Sequence, residues 1–128
     1  MGEDEAERLF AAGARIVQIN IWRPINHPVM STPLALADAS SIAEDELVAT
    51  DQVFPDRVGE IYSIAYGPGQ RWYYAPEMRP DEILLIKGWD SLDDGRARFT
   101  PHGAFPLEGP PGAPPRESIE VRTLVIIE

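Results

Sequence analysis

Two short segments near the end of the chain have residue types and a spacing that could form a metal and anion site. His102, one of 2 histidines, lies in a Thr-Pro-His-Gly run, and Arg116-x-Ser118 opens the last predicted strand after a Pro-Gly loop. A histidine late in a β-rich chain, followed by this loop, indicates an iron site in which His102 belongs to a two-His-one-carboxylate triad. Arg116 and the Ser118 hydroxyl would hold the far carboxylate of 2-oxoglutarate, because a guanidinium donates paired charge-assisted bonds. The alternative is a turn histidine and a surface arginine.

The last predicted strand, Arg116 to Glu128, contains a second candidate for the anion. Side chains alternate along a strand, so Arg116, Ser118, Glu120 and Arg122 share one face. Two arginines on one face favour a cosubstrate site, with Arg116 preferred over Arg122 because of the Arg-x-Ser start. An exposed, salt-bridged face would have the same pattern.

The run Arg71-Trp72-Tyr73-Tyr74 concentrates aromatic side chains in one predicted strand. Aromatic residues on a pleated strand are usually core or cross-strand partners. Trp72 or Tyr74 would instead line a substrate pocket if Arg71 meets an acidic substrate. The sequence leaves both interpretations open.

Three other polar residues are predicted to have structural roles. His27 stands in Asn-His-Pro, a loop signal because the residue before proline is pushed out of the helical region. Asp38, followed by two serines, is typical of a turn or helix cap, and Asp90 precedes a turn. None of the three is predicted to be a catalytic acid or a metal ligand.

Hydrophobic periodicity and turn residues predict the elements that must position these side chains. A short helix is expected over Glu3 to Gly13, with Gly13 as its stop. Strands are predicted at Arg15 to Trp22, Pro33 to Ala39, Glu60 to Tyr66, Arg71 to Tyr74, Ile83 to Ile86 and the C-terminal segment. About seven short strands with two short helices favour a mainly β jelly-roll or a related barrel.

Three local details complete this prediction. Asp51 to Gly59 is expected to be a polar loop. Glu60 to Tyr66 and Arg71 to Tyr74 are expected to pair as a hairpin around Gly-Pro-Gly. Ile83 to Ile86 is an apolar run, which predicts a strand that is buried on both faces.

Composition excludes several classes of function. A chain of 128 residues with 44% apolar and 25% charged residues is expected to form one globular domain over residues 1–128. A net charge of −10 argues against nucleic acid, whose phosphates need a basic face. No apolar run approaches the roughly 18 residues that span a bilayer. The lack of cysteine predicts no disulfide or zinc-thiolate site and fits a reducing cytoplasm.

Several stretches, in order along most of the chain, resemble a known family. They are Ile19 to Pro24, Pro33 to Ala39, Arg71 to Tyr74, Asp81 to Lys87, Asp90-Ser91, Arg98 to His102 and Pro114 to Arg122. Together they are similar to the AsaB-like hydroxylase/desaturases, which include CmcJ-like cephalosporin hydroxylases and gibberellin desaturase-like proteins. The resemblance implies an Fe(II)/2-oxoglutarate oxygenase on a double-stranded β-helix, acting on a small secondary metabolite.

The same resemblance implies a His-x-Asp pair of iron ligands before Arg15, a position where this sequence has none. We therefore expect the later strands of a jelly-roll that is incomplete at its N-terminus. We also expect a chain that is inactive in isolation and an open sheet edge that favours a homo-oligomer. The alternatives are a non-catalytic binding or interaction module and a cupin-like isomerase.

Overall fold

The chain begins with a helix that docks onto the first strand. The computed structural model describes residues 3–127, and helix α1 spans Glu3–Ala11. The helix ends through hydrogen bonds from the following amides, and Gly13 has a φ of 78°, a left-handed conformation that glycine adopts without steric cost. Leu9 is buried beside Ile16, which attaches the helix to the sheet. The predicted helix and its glycine stop are confirmed. None of the described helices is long and apolar enough to cross a membrane.

Eight strands in the described part of the chain form antiparallel sheets. They are β1 Arg15–Pro24, β2 Leu34–Ala37, β3 Leu47–Val53, β4 Val58–Ile64, β5 Trp72–Tyr74, β6 Leu84–Asp90, β7 His102–Ala104 and β8 Ser118–Ile127. One sheet has the order β6-β1-β8, the second has the order β5-β2-β7, and β3 and β4 form a separate hairpin. Two 3-10 helices, Ala39–Ser41 and Glu44–Glu46, precede that hairpin. The predicted mainly β jelly-roll is confirmed.

The core lies between the two three-stranded sheets. Trp22 from β1 and Ile86 from β6 pack with Leu34 from β2, and all three are buried. Val29 and Met78, which lie between strands, complete the cluster. Because the cluster takes side chains from both sheets, burial of this apolar surface holds the sheets together.

A buried carboxylate fixes the end of β6. Asp90 is 2% exposed and accepts two hydrogen bonds from Arg15, at 2.9 and 2.6 Å, and its carboxylate lies 3.1 Å from the Lys87 ammonium. The Arg15 hydrogen bond is the main cause of an Asp90 pKa far below its usual range. Asp90 also accepts from the Leu92 amide at 3.0 Å, so its predicted capping role is confirmed.

Two predictions about the middle of the chain are wrong. The expected polar loop over residues 51–59 is shorter than predicted and spans only residues 54–57, because β3 continues to Val53 and β4 begins at Val58. The expected pairing of residues 60–66 with 71–74 does not form, since β4 pairs with β3 and β5 pairs with β2. A turn in which the Phe54 amide donates to the Arg57 carbonyl joins β3 to β4. β4 therefore pairs with β3, which is closer to it in sequence than β5 is.

The prediction that residues 83–86 are buried on both faces is also wrong. Ile86 is 1% exposed, but Ile83 is 54% and Leu85 is 64% exposed. β6 lies at an edge of its sheet in the described part of the chain, and only alternate side chains reach the core. The outer face of this strand therefore remains apolar and exposed.

Candidate functional site

His102 begins β7 with its imidazole oriented by a main-chain contact. Its Nδ1 lies 2.9 Å from the Thr100 carbonyl oxygen. A carbonyl only accepts, so Nδ1 carries the proton and, in the neutral ring, Nε2 keeps a free lone pair. Histidines that bind metals are commonly held in this way through their second nitrogen. The side chain of His102 is exposed, so Nε2 is accessible.

The strand register places His102 on the core-facing side of its sheet. Leu36 is directly opposite His102 on one side and Tyr73 on the other, so the three side chains form one row. Leu36 packs against the core cluster of Trp22. Tyr73 therefore shares the face of His102, whereas its neighbours Trp72 and Tyr74 point to the opposite face. The sequence prediction did not include Tyr73 among the site residues. Side chains alternate between the two faces of a strand, so Tyr73 must face the opposite way from Trp72 and Tyr74.

Arg116 lies just before β8 and contacts the loop between β1 and β2 and a core residue of its own sheet. Its Nη1 donates to the Thr32 carbonyl at 2.9 Å, and its guanidinium carbon lies 5.8 Å from the centre of the Trp22 ring. Ser118 is opposite Pro24, so its side chain lies on the same face as Trp22. The structure therefore brings Arg116 and Ser118 to the inter-sheet face that His102 also borders.

Arg122 is on the same face as Ser118, four residues further along β8. Its Nε donates to Asn20 Oδ1 at 3.3 Å, and its Nη2 lies 3.8 Å from Glu120. Asn20 is 2% exposed and also accepts from Gln18 at 3.4 Å. The shared face predicted for the last strand is confirmed for Ser118, Glu120 and Arg122, whereas Arg116 lies before β8. Arg122 is partly engaged by the buried side-chain amide of Asn20.

The side chains that could bind a metal provide only part of an iron site. Within residues 3–127 no group of three His, Cys, Asp or Glu side chains is placed to hold a metal ion. His102 fits the role of one imidazole ligand, because its Nδ1 is bonded and its Nε2 is accessible. The described residues do not by themselves make a complete two-His-one-carboxylate triad.

His27 lies in the loop between β1 and β2, as its proline context predicts. Its Nδ1 is 3.0 Å from the Pro28 carbonyl oxygen, and its Nε2 is buried with no partner among the described residues.

The predicted substrate residues divide between two environments. Arg71 donates to Asp38 at 2.7 Å, and the Ser40 hydroxyl and then Arg71 lower the pKa of Asp38 to about 2. Asp38 also caps the first 3-10 helix, which confirms its predicted capping role. Trp72 and Tyr74 line an apolar cavity of about 460 Å³, on the face opposite His102. The rest of its lining is Ala35, Gly103 and Phe105.

A cleft that the sequence prediction missed lies beside the residues that lead into His102. It has a volume of about 540 Å³ between the 39–47 segment and the 93–101 loop. Its walls include Phe99 and Pro101, together with the side chains of Arg96 and Arg98. Tyr62 of the β3–β4 hairpin stacks on Phe99 with ring centres 5.9 Å apart. The Arg-x-Arg-Phe run before His102 is the sequence signal for this mixed polar and apolar surface.

Comparisons with known proteins agree on one group of oxidoreductases. Over residues 1–126 the sequence matches the family described as Oxidoreductase/YMDC permease-like domain. Hydroxylase/desaturase AsaB of Aspergillus flavus is 42% identical, over 97% of this chain and 60% of its own length. The chain belongs to the AsaB-like hydroxylase/desaturase family.

Other AsaB-like relatives and a solved structure agree with this assignment. Aspirochlorine biosynthesis protein N of Aspergillus oryzae is 41% identical, over 98% of this chain and 53% of its own length. The structure of the iron and alpha-ketoglutarate-dependent endoperoxidase NvfI superposes with a TM-score of 0.85 at 35% identity, covering 98% of this chain and 46% of NvfI. The resemblance inferred from sequence is confirmed. The chain spans about half the length of the relatives it matches.

Proposed function

We propose that this chain contributes an iron-binding histidine and a cosubstrate-binding arginine to an Fe(II)/2-oxoglutarate-dependent oxygenase. The observation that carries the proposal is that His102 and Arg116 border the same inter-sheet core from opposite sheets. The names of the relatives and of the superposed structure support the same chemistry. Hydroxylation or desaturation of a small secondary metabolite is the reaction class that fits the family.

His102 and Arg116 would act on two different parts of the site. His102 Nε2 would hold the iron, while the Nδ1 contact with Thr100 fixes the ring and its tautomer. Arg116 would bind the far carboxylate of 2-oxoglutarate, and the Ser118 hydroxyl would donate a further hydrogen bond. Iron, when bound, supplies the oxidising chemistry, and the protein positions the reactants around it.

The substrate is proposed to enter beside the loop that precedes His102. The cleft of about 540 Å³ is large enough for a small metabolite, and Phe99 and Pro101 connect it to His102. Tyr73 shares the face of His102 and is therefore better oriented toward the site than its neighbours. Substrate roles for Arg71, Trp72 and Tyr74 stay predictions, as do a cytoplasmic location and self-association.

The direct test measures iron-dependent conversion of 2-oxoglutarate to succinate by the complete product of the gene. We expect His102→Ala to abolish both succinate formation and ferrous iron binding. His27→Asn is the matched control, because it removes the other imidazole, and it should keep most of both. Equal activity in the His102 variant would overturn the assignment of this ligand.

A non-catalytic binding module is the second candidate. It is favoured by one observation, that the described residues hold no complete group of three metal ligands. A complete gene product that binds a metabolite in the cleft but forms no succinate with iron and 2-oxoglutarate would support this alternative.

A further inference from the structure

Two segments without regular structure meet beside Arg116. The first is the β1–β2 loop, residues 25–33, and the second is the β7–β8 connector, residues 105–117, which leads from His102 to Arg116. Main-chain hydrogen bonds join them at both ends. The Ile25 amide donates to the Glu117 carbonyl at 3.0 Å, and the Thr32 amide donates to the Leu107 carbonyl at 3.1 Å. The connector is therefore fixed to the loop near both of its ends.

Thr32 joins the connector to the arginine directly. Its amide is bonded to Leu107, and its carbonyl accepts from Arg116 Nη1 at 2.9 Å. Its φ is 48°, a left-handed conformation that is uncommon for a side chain branched at Cβ. One N–H of Arg116 is thus held by the main chain, which sets the direction of the remaining donors.

Gly109 lets the two segments approach each other closely. A Cβ atom at this position would lie 2.5 Å from the Met30 carbonyl oxygen and 2.9 Å from Ala113 Cβ. The first distance is well inside van der Waals contact with rigid main chain, so any larger residue must displace the connector or the loop. Gly69 is different, because a Cβ there would meet nothing within 4 Å.

A side-chain pair fixes the end of the connector next to Arg116. The Asn26 side-chain amide donates a hydrogen bond to the Glu117 carboxylate. Asn26 has a φ of 65°, a conformation that asparagine tolerates better than most residues. Glu117 is therefore held through both its carbonyl and its side chain.

We propose that the β1–β2 loop positions Arg116 for 2-oxoglutarate, with Gly109, Asn26 and Glu117 as positioning residues that do not touch the cosubstrate. The inference rests on the proposed function, because it assumes that Arg116 is the anchor. A bidentate guanidinium–carboxylate contact needs both direction and distance to be correct, so a small displacement weakens binding strongly. The loop thereby links the segment that carries His102 to the segment that carries Arg116.

The experiment uses the complete product of the gene, purified without oxygen and titrated with 2-oxoglutarate by calorimetry. We expect Gly109→Ala to weaken binding by about 10- to 100-fold, as a displacement near 1 Å does at an oriented site. Gly69→Ala should leave the affinity unchanged. Glu117→Ala should also weaken binding, and Glu117→Gln should restore most of it, because an amide oxygen still accepts from Asn26.

Two further readouts separate positioning from general damage. The KM for 2-oxoglutarate should rise in Gly109→Ala and Glu117→Ala, while kcat at saturating cosubstrate and iron affinity stay near wild type. Hydrogen exchange of the Thr32 and Ile25 amides should become faster in both variants, because these amides bond the connector.

The outcomes distinguish the inference from the function on which it rests. If Arg116→Ala leaves 2-oxoglutarate binding unchanged, the proposed anchor is wrong. If Arg116→Ala weakens binding but Glu117→Ala and Gly109→Ala do not, the positioning inference is overturned. Because Gly109→Ala is a packing change that could prevent folding, the exposed Glu117 decides the result in that case.

Discussion

Adjacent residues of β6 should differ sharply in their contribution to stability. Ile86 is 1% exposed and packs in the inter-sheet core, whereas Leu85 is 64% exposed on the outer face. Truncating a buried Ile to Ala removes transfer free energy and leaves a cavity, which together cost about 2–5 kcal/mol. Truncating an exposed Leu changes little buried surface, so the free energy of unfolding should change by less than about 0.5 kcal/mol.

The measurement is urea unfolding of the 128-residue chain, followed by tryptophan fluorescence, for Ile86→Ala and Leu85→Ala. With slopes of about 1–3 kcal/mol/M, Ile86→Ala should lower the unfolding midpoint by at least about 0.7 M. The Leu85→Ala midpoint should stay close to that of the parent chain. Equal losses in both variants would refute the one-sided burial of β6, since they would mean that Leu85 also lies in a packed core.

Three other predictions concern the site and the charges. Arg116→Ala should lower the affinity of the complete gene product for 2-oxoglutarate by at least about 30-fold, because truncating one partner of a desolvated charge contact costs roughly 2–5 kcal/mol, and Arg122→Ala should do less. Calorimetry that found the Arg122 variant more damaged would mean that the anchor is misassigned. The pKa of Asp90 is lowered in the folded state, so its stabilisation is fully present above the unfolded pKa of about 3.9 and is lost progressively as pH falls from there through the lower folded pKa. Asp90→Asn should therefore lower the urea midpoint at pH 7 more than at pH 3. Asp81→Asn, at an exposed position, is the control and should leave the midpoint close to that of the parent chain. The 128-residue chain in isolation should bind ferrous iron weakly and form no succinate in an anaerobic titration, and tight binding that depends on His102 would contradict this.

The fold was predictable where one segment carries its own signal. The alternation in Arg15–Pro24 and the glycine after α1 define their elements through backbone geometry, which depends on neighbours in sequence. The Asn-His-Pro loop and the Asp38 cap follow from local sterics and local hydrogen bonds. These features need no knowledge of the rest of the chain.

The pairing of strands was less predictable, because it depends on segments that are distant in sequence. The polar composition of residues 51–59 predicts a loop, yet β3 and β4 extend into both ends of this segment and leave only residues 54–57 as the loop. The run at residues 83–86 predicts burial on both faces, but only a neighbouring layer of structure can cover a face, and Leu85 has no such cover in the described chain.

The sequence by itself determined the family of the chain and the residue types of the candidate site, including the two proposed participants His102 and Arg116. Their chemistry is a property of the side chains, and their motifs are contiguous. Only the tertiary structure decided which face each residue occupies, that Tyr73 joins His102 while Trp72 and Tyr74 turn away, and that Gly109 brings the connector against the β1–β2 loop. The physical reason is that strand register and the contacts between segments are set by packing between parts of the chain that are distant in sequence. The charge of a side chain and its ability to donate or accept hydrogen bonds are properties of that residue alone.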